Sequence, residues 1–233
     1  LFFALKGENF DGNLYAAKAL EAGAAYAVVD ADSQAVESVG DYIDSSGRSR
    51  IIPVPSTLET LQALARHHRE NVRSPRLPVI GITGTNGKTT TVTLLYNLFR
   101  NLGYECGLLS TIANYVGDRM LETANTTADP ITINSLMREM VDEGCEYCFM
   151  EVSSIGMEQD RVAGLDFNIG IFSNLTHDHL DYHKTFAEYL RCKKLFFDSL
   201  PASAYAVTNA DDRNGMVMVQ NTAAKVVTYS CRS

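Results

Sequence analysis

The sequence predicts an α/β protein of two units, a smaller N-terminal one and a larger one built on a mostly parallel sheet flanked by helices. Three observations carry this. From residue 79 onward, short apolar runs alternate with longer stretches at helical spacing, as expected for buried parallel strands joined by helices. The stretch VIGITGTNGKTTTVTLLYNLF, residues 79–99, joins one such strand to one such helix through Thr-Gly-Thr-Asn-Gly-Lys-Thr-Thr. Three predicted strands end at Gly84, Glu151 and Asn174, and the carboxyl ends of strands are where such sheets bind ligands.

Element by element, residues 1–5 read as a strand and 14–22 as a helix ended by Gly23. Residues 25–29 and 51–54 read as strands, with a Gly- and Ser-rich loop at 40–49 between them. Ser56-Thr-Leu-Glu59 has the form of a capping box, and Leu58, Leu61, Leu64 and Ala65 continue at helical spacing to about residue 69. The polar stretch 71–78, with two prolines, reads as a linker, which puts the domain boundary near Leu77: residues 1–77, then 78–233. Beyond it, strands are predicted at 79–83, 106–111, 146–152, 167–173, 205–208 and 225–229, and helices at 88–102, 131–143 and 186–200. Residues 114–122 read as a hairpin around Gly117-Asp118.

With 233 residues, 45% of them hydrophobic, the chain can bury one large core or two modest ones. A net charge of -8 argues against a nucleic-acid surface. No apolar run approaches the roughly 20 residues that span a bilayer. The five cysteines are scattered, apart from Cys145-Glu-Tyr-Cys148 with no second pair to complete a zinc site, and fit the reduced thiols of a cytoplasmic protein. The chain opens on Leu1-Phe2-Phe3-Ala4-Leu5, already inside a strand pattern, so we expect its N-terminus to lie upstream.

The glycine-rich turn into a helix offers phosphate oxygens backbone N–H groups and the positive end of a helix dipole. Gly84 and Gly87 permit the tight turn, Lys88 reaches the β- and γ-phosphates of a nucleotide, and the Thr89 hydroxyl binds Mg²⁺. Ile82 stands where the usual spacing of this P-loop motif has its first glycine. Glu151, after the apolar Tyr147-Cys-Phe-Met, is placed for a second magnesium contact. Past Asn174, three His and two Asp fall within seven residues: His177, Asp178, His179, Asp181 and His183. They fit a Mg²⁺ or Mn²⁺ site, or a solvated loop with one functional member. In the helix that follows, Lys193 falls on the apolar stripe of Phe186, Tyr189, Leu190, Phe197 and Leu200, whereas Lys194 lies about 100° away. A lysine on the buried face calls for an ion pair, a snorkelling path or a function.

Together these stretches resemble the Mur ligase family, ATP-dependent amide-bond-forming enzymes of peptidoglycan precursor synthesis. Thr83-Gly-Thr-Asn-Gly-Lys-Thr-Thr90 is similar to the family's phosphate loop, and Asn174-Leu-Thr-His-Asp-His-Leu-Asp-Tyr-His183 to its Asn-x-x-x-Asp-His-x-Asp signature. Asn125-Thr-Thr-Ala-Asp-Pro130 and Glu151-Val-Ser-Ser154, followed by Gln159-Asp-Arg161, resemble its MurE type, and residues 1–12 resemble its uridine-nucleotide-binding N-terminal domain. The resemblance covers essentially the whole chain.

It implies several roles. Gly84, Thr85, Asn86, Gly87, Lys88, Thr89 and Thr90 would bind ATP. Thr89, Glu151, His179 and Lys193, the last as a carbamate, would hold Mg²⁺. Lys88, His179 and Lys193 would be catalytic. Asn125, Thr126, Thr127, Ser153, Gln159 and Arg161 would contact UDP-N-acetylmuramoyl-L-alanyl-D-glutamate. The incoming amino acid would be meso-diaminopimelate or L-lysine. Ile155 and Ala128 depart from the family pattern, which often has histidine and proline there. The family also has a third domain for the amino acid, so the chain is expected to be a piece that does not turn over alone. Rival readings are another ligase of this superfamily, such as folylpolyglutamate synthetase, and a P-loop nucleotide-binding module without ligase activity.

Overall fold

The computed structural model describes residues 1–7, 10–38, 40–70, 77–176 and 185–232. It divides into two compact units, Leu1–His67 and His68–Ser233.

The first unit has a three-stranded parallel sheet of β1 (Phe2–Phe3), β4 (Ala27–Asp30) and β5 (Ile51–Val54), in that order. The strand expected over residues 1–5 is shorter, because the chain turns into a hairpin of β2 (Lys6–Gly7) and β3 (Phe10–Asp11). The helix expected at 14–22 is α1 (Ala16–Glu21), preceded by a 3₁₀ turn at Gly12–Tyr15. Asp30 ties the unit together. Its carboxylate accepts from Asn13 Nδ2 at 3.0 Å and from Thr57 N, at the start of α2 (Thr57–Glu70), at 2.9 Å. Burial works against its charge, but the bonds from Asn13, Thr57 and Lys6 outweigh it and hold the carboxyl below its ordinary pKa. Ser56 Oγ accepts from Glu59 N at 3.2 Å, the cap read from the sequence. Leu64 is exposed, because the buried face of α2 centres between Leu61 and Ala65.

The second unit is an eight-stranded sheet, β13-β12-β11-β6-β10-β7-β8-β9. The strands are β6 (Val79–Thr83), β7 (Cys106–Leu109), β8 (Asn114–Val116), β9 (Arg119–Leu121), β10 (Tyr147–Glu151), β11 (Ile169–Phe172), β12 (Tyr205–Asn209) and β13 (Lys225–Tyr229). Every pairing from β13 to β7 is parallel, and β8 and β9 form the expected hairpin at one edge. Its helices are α3 (Lys88–Asn101), α4 (Pro130–Asp142), α5 (Ser154–Glu158), α6 (Phe186–Asp198) and α7 (Gly215–Met218).

Strand alternation sorts the core into two layers. Ile80, Ile82, Leu108 and Phe149 pack with Val92 and Tyr96 of α3. Val79, Leu109, Cys148, Met150 and Phe172 belong to the layer with Ile133, Met137 and Met140 of α4 and Phe196 and Phe197 of α6. Gly81 makes the second layer possible, since a Cβ there would lie 2.6 Å from Phe196 Cζ. The central strands are thus buried on both faces, and the three at the middle, β11, β6 and β10, end side by side at Asn174, Gly84 and Glu151. No described helix is long and apolar enough to cross a membrane.

Candidate active site

Between β6 and α3 the chain makes its glycine turn. Gly84 has φ +148° and Gly87, the residue before the helix, φ +83°. A Cβ on Gly84 would lie 2.0 Å from Ser173 Oγ, so only glycine fits. The turn is fastened to the loop that follows β11. Thr85 N donates to Asn174 O at 2.8 Å and Asn86 N to Asn174 Oδ1 at 3.0 Å. In return, Asn174 Nδ2 and Ser173 Oγ both donate to Asn86 O at 3.0 Å. Thr85 Oγ1 accepts from Thr176 N at 3.0 Å and from the Tyr189 hydroxyl of α6 at 3.1 Å. These bonds use the N–H groups of Thr85 and Asn86 to give the loop one conformation, and the helix N-terminus from Lys88 to Thr90 is what offers N–H groups to an anion.

Lys88, in the first turn of α3, folds back over the loop. Its Nζ donates to Gly84 O at 3.0 Å and Thr85 O at 2.9 Å. Burial lowers its pKa, opposed by the charge of Glu151. Thr89 is half-buried and Thr90 exposed on the same turn.

Glu151 is fully buried at the end of β10. Its Oε1 accepts from Thr111 N at 2.8 Å and Thr111 Oγ1 at 3.1 Å. Its Oε2 is buried with no hydrogen-bond partner among the described residues. A buried carboxylate oxygen without a donor is costly, and a cation would satisfy it. With the Thr89 hydroxyl as a second hard oxygen, the residues present fit a magnesium ion.

Lys193 is 2% exposed, as the helical stripe requires, and its neighbour Lys194 pairs instead with Asp198 at 2.6 Å. Lys193 Nζ donates to Gly84 O at 2.9 Å and sits 4.7 Å from the centre of the Tyr189 ring. Burial first, then repulsion from Lys88, holds its pKa well below the ordinary value. Phe196 joins Phe197 on the buried side of α6, a wider face than the predicted stripe. His179 and the rest of the His/Asp cluster, residues 177–183, lie outside the described residues.

The substrate residues expected from the sequence meet across α5. Thr127 Oγ1 donates to Glu151 O and accepts from Ser153 N, both at 3.0 Å. Ser153 Oγ caps α5, accepting from Gly156 N at 3.0 Å. Arg161 Nη1 donates to Thr127 O at 2.7 Å, and its Nε and Nη2 both donate to Gln159 Oε1, at 2.9 and 2.6 Å. Asp160 between them has φ +51°, a left-handed turn that sets the direction of the Arg161 fork. Lys88, Asn125, Thr126, Thr127, Ser153, Arg161 and Lys193 line one cleft of about 170 Å³, with Ser154, Ile155 and Tyr189. Lys88 and Arg161 bring positive charge to the cleft in a chain of net charge -8, with Lys193 beside them, an arrangement that suits anionic groups. Tyr189 and Thr111 belong to this site although the sequence did not single them out. Tyr189 looked like one more core aromatic, and Thr111 like the last residue of a strand.

Cys106, Cys145 and Cys148 are buried thiols that form no disulfide. Burial pushes Cys106 up to about 11 and raises Cys145, the opposite of an activated thiolate.

The sequence profile described as Mur ligase middle domain matches residues 82–233, and that described as Mur ligase family, catalytic domain, matches residues 1–69. The chain is 50% identical to a UDP-N-acetylmuramoyl-L-alanyl-D-glutamate--2,6-diaminopimelate ligase of Phocaeicola vulgatus and 49% identical to that of Cytophaga hutchinsonii. These alignments cover 100% and 99% of this chain, and the chain spans 46% of each relative's length. A solved structure of a ligase of the same name superposes with a TM-score of 0.74 at 27% identity, over 95% of this chain and 43% of that one.

Proposed function

Because the chain belongs to the Mur ligase family, we propose that it serves in an ATP-dependent ligase that joins the third amino acid to UDP-N-acetylmuramoyl-L-alanyl-D-glutamate, in the cytoplasm, during peptidoglycan precursor synthesis. Both relatives are named for 2,6-diaminopimelate, and we take that amino acid rather than L-lysine as the one that is joined. In this reading residues 1–77 hold the uridine nucleotide and 78–233 bind ATP. One observation carries it: Lys88, Arg161 and Lys193 line a single cleft at the ends of adjacent strands, beside a buried carboxylate with an oxygen to spare.

A carboxylate is a poor acyl donor. The D-Glu side chain therefore attacks the γ-phosphate of ATP first, giving an acyl phosphate and ADP. The amine of the incoming amino acid then displaces phosphate. Lys88 stabilises the charge on the transferring phosphoryl group, and backbone N–H groups at the start of α3, from Lys88 to Thr90, hold the phosphates. Arg161, fixed by Thr127 and Gln159, grips the substrate's anionic end, with Asn125, Thr126 and Ser153 beside it. Thr89 and Glu151 would hold one Mg²⁺, and His179 with Lys193 a second; when bound, the metal neutralises phosphate charge. For that role Lys193 carries CO₂ as a carbamate. Its burial favours the neutral amine that CO₂ requires. The carbamate retains one N–H on Nζ, enough to keep the bond to Gly84 O.

In the full-length protein, Lys88→Ala is expected to lose about 10²-fold or more in turnover, as for loss of an electrostatic donor. Lys193→Arg, which keeps a cation but cannot form the ligand, is expected to lose most activity. Near-normal turnover in either would remove that residue from the phosphate site.

A further inference from the structure

We propose that Thr111 is a positioning residue: it fixes Glu151 so that a single oxygen faces the cation, and it turns the Thr126 hydroxyl into an acceptor toward the substrate. The inference rests on the roles just given to Glu151 and Thr126.

The argument is a count of protons. Thr111 N and Oγ1 both reach Glu151 Oε1, and Oε2 is left without a partner among the described residues. Thr111 Oγ1 also lies 3.2 Å from Thr126 Oγ1. Each hydroxyl has one proton to give. A carboxylate only accepts, so the Thr111 proton goes to Glu151. The contact between the two threonines must then be made by the proton of Thr126. What Thr126 has left for the cleft is lone pairs. It therefore recognises an N–H or O–H of the bound molecule, such as a peptide amide or a sugar hydroxyl, and not an anionic oxygen. Anionic groups fall to Lys88 and Arg161, which only donate. The chain Thr126 → Thr111 → Glu151 thus divides the cleft into donor and acceptor walls, and it links the substrate side to the metal side.

Thr111 is itself held for this task. Ser110 Oγ donates to Ala113 O at 2.7 Å, and Ser110 N donates to Asn114 Oδ1 at 3.2 Å, so the turn after β7 is built before any ligand arrives. Thr111 is exposed, so changing its hydroxyl does not disturb the core.

The test uses the full-length protein with Thr111→Val, Thr111→Ser and Glu151→Gln. Mn²⁺ binding in the presence of ADP, followed by electron paramagnetic resonance, reports on Glu151. The KM values for the UDP-muramyl dipeptide and for ATP report on the two sides of the cleft. Thr111→Val should weaken Mn²⁺ about tenfold and raise the KM for the muramyl dipeptide, the scale of one hydrogen bond to a charged group. Thr111→Ser should restore both. If Glu151→Gln loses Mn²⁺ and Thr111→Val does not, the proposal is overturned while the site reading stands. If Glu151→Gln binds Mn²⁺ normally, the role of Glu151 falls and the proposal with it.

Discussion

Lys88 and Lys193 donate to the same carbonyl oxygen, that of Gly84, at 3.0 and 2.9 Å. One comes from the helix after β6 and the other from α6, and they meet at the residue where β6 gives way to the loop. Two cations on one oxygen repel each other, and burial adds to the cost, so Lys193 is driven toward its neutral form. Gly84 is the hinge of the arrangement, which makes its conformation the first thing to test.

Gly84→Ala is expected to destabilise the protein by about 1–3 kcal/mol, from overpacking and backbone strain together. The new Cβ would displace Ser173 Oγ, 2.0 Å away, and with it the bond to Asn86 O. Adding Ser173→Ala should recover part of the melting temperature, since it removes the clash but not the strain at φ +148°. Full recovery in the double variant would show that the backbone at Gly84 is unstrained.

Lys193 gives stability a pH dependence of known sign. Its pKa in the folded chain lies well below the 10.5 of the unfolded chain, so between those values the unfolded state binds more protons. The cost of the buried ammonium is full below the folded value, falls as pH rises through the window, and is gone above 10.5. In CO₂-free buffer, Lys193→Met should therefore compare most favourably with the natural protein at low pH, and the advantage should shrink as pH rises. Denaturant titrations at several pH values check this, and a difference that does not vary with pH would contradict it.

Arg161→Lys keeps the charge but cannot span Thr127 O and Gln159 Oε1 together. The KM for the muramyl dipeptide should rise about tenfold or more, from loss of a charge-assisted contact, with the KM for ATP little changed. Asp160→Gly, which also accepts φ +51°, should fold normally, whereas Asp160→Val should raise the same KM by turning the fork away. Steady-state kinetics on the three variants separates the charge of Arg161 from its direction.

Much of this was legible because local patterns report on local structure. The alternation of apolar strands and helical stripes located the sheet, and strand ends located Gly84, Glu151 and Asn174. A seven-residue step on the α6 stripe picked Lys193 over Lys194, and the structure buries the first and exposes more of the second. What the sequence did not disclose depends on partners distant in the chain. The Tyr189 bond to Thr85 and the Thr111 bonds to Glu151 join residues with no common local motif. The short helices α5 and α7, of five and four residues, bury too few apolar side chains to leave a periodic signature. The hairpin of β2 and β3 rests on two residues a side, below any strand pattern.

The most direct measurement follows oxygen through the reaction. In the full-length protein, with ATP, Mg²⁺ and 2,6-diaminopimelate, the D-Glu side-chain carboxylate of the UDP-muramyl dipeptide is supplied labelled with ¹⁸O. If that carboxylate attacks the γ-phosphate, one labelled oxygen leaves with the released phosphate as the amide forms. The account predicts ¹⁸O in phosphate in step with tripeptide, and no phosphate release without the muramyl dipeptide. Unlabelled phosphate, or ATP hydrolysis indifferent to the muramyl substrate, would contradict it.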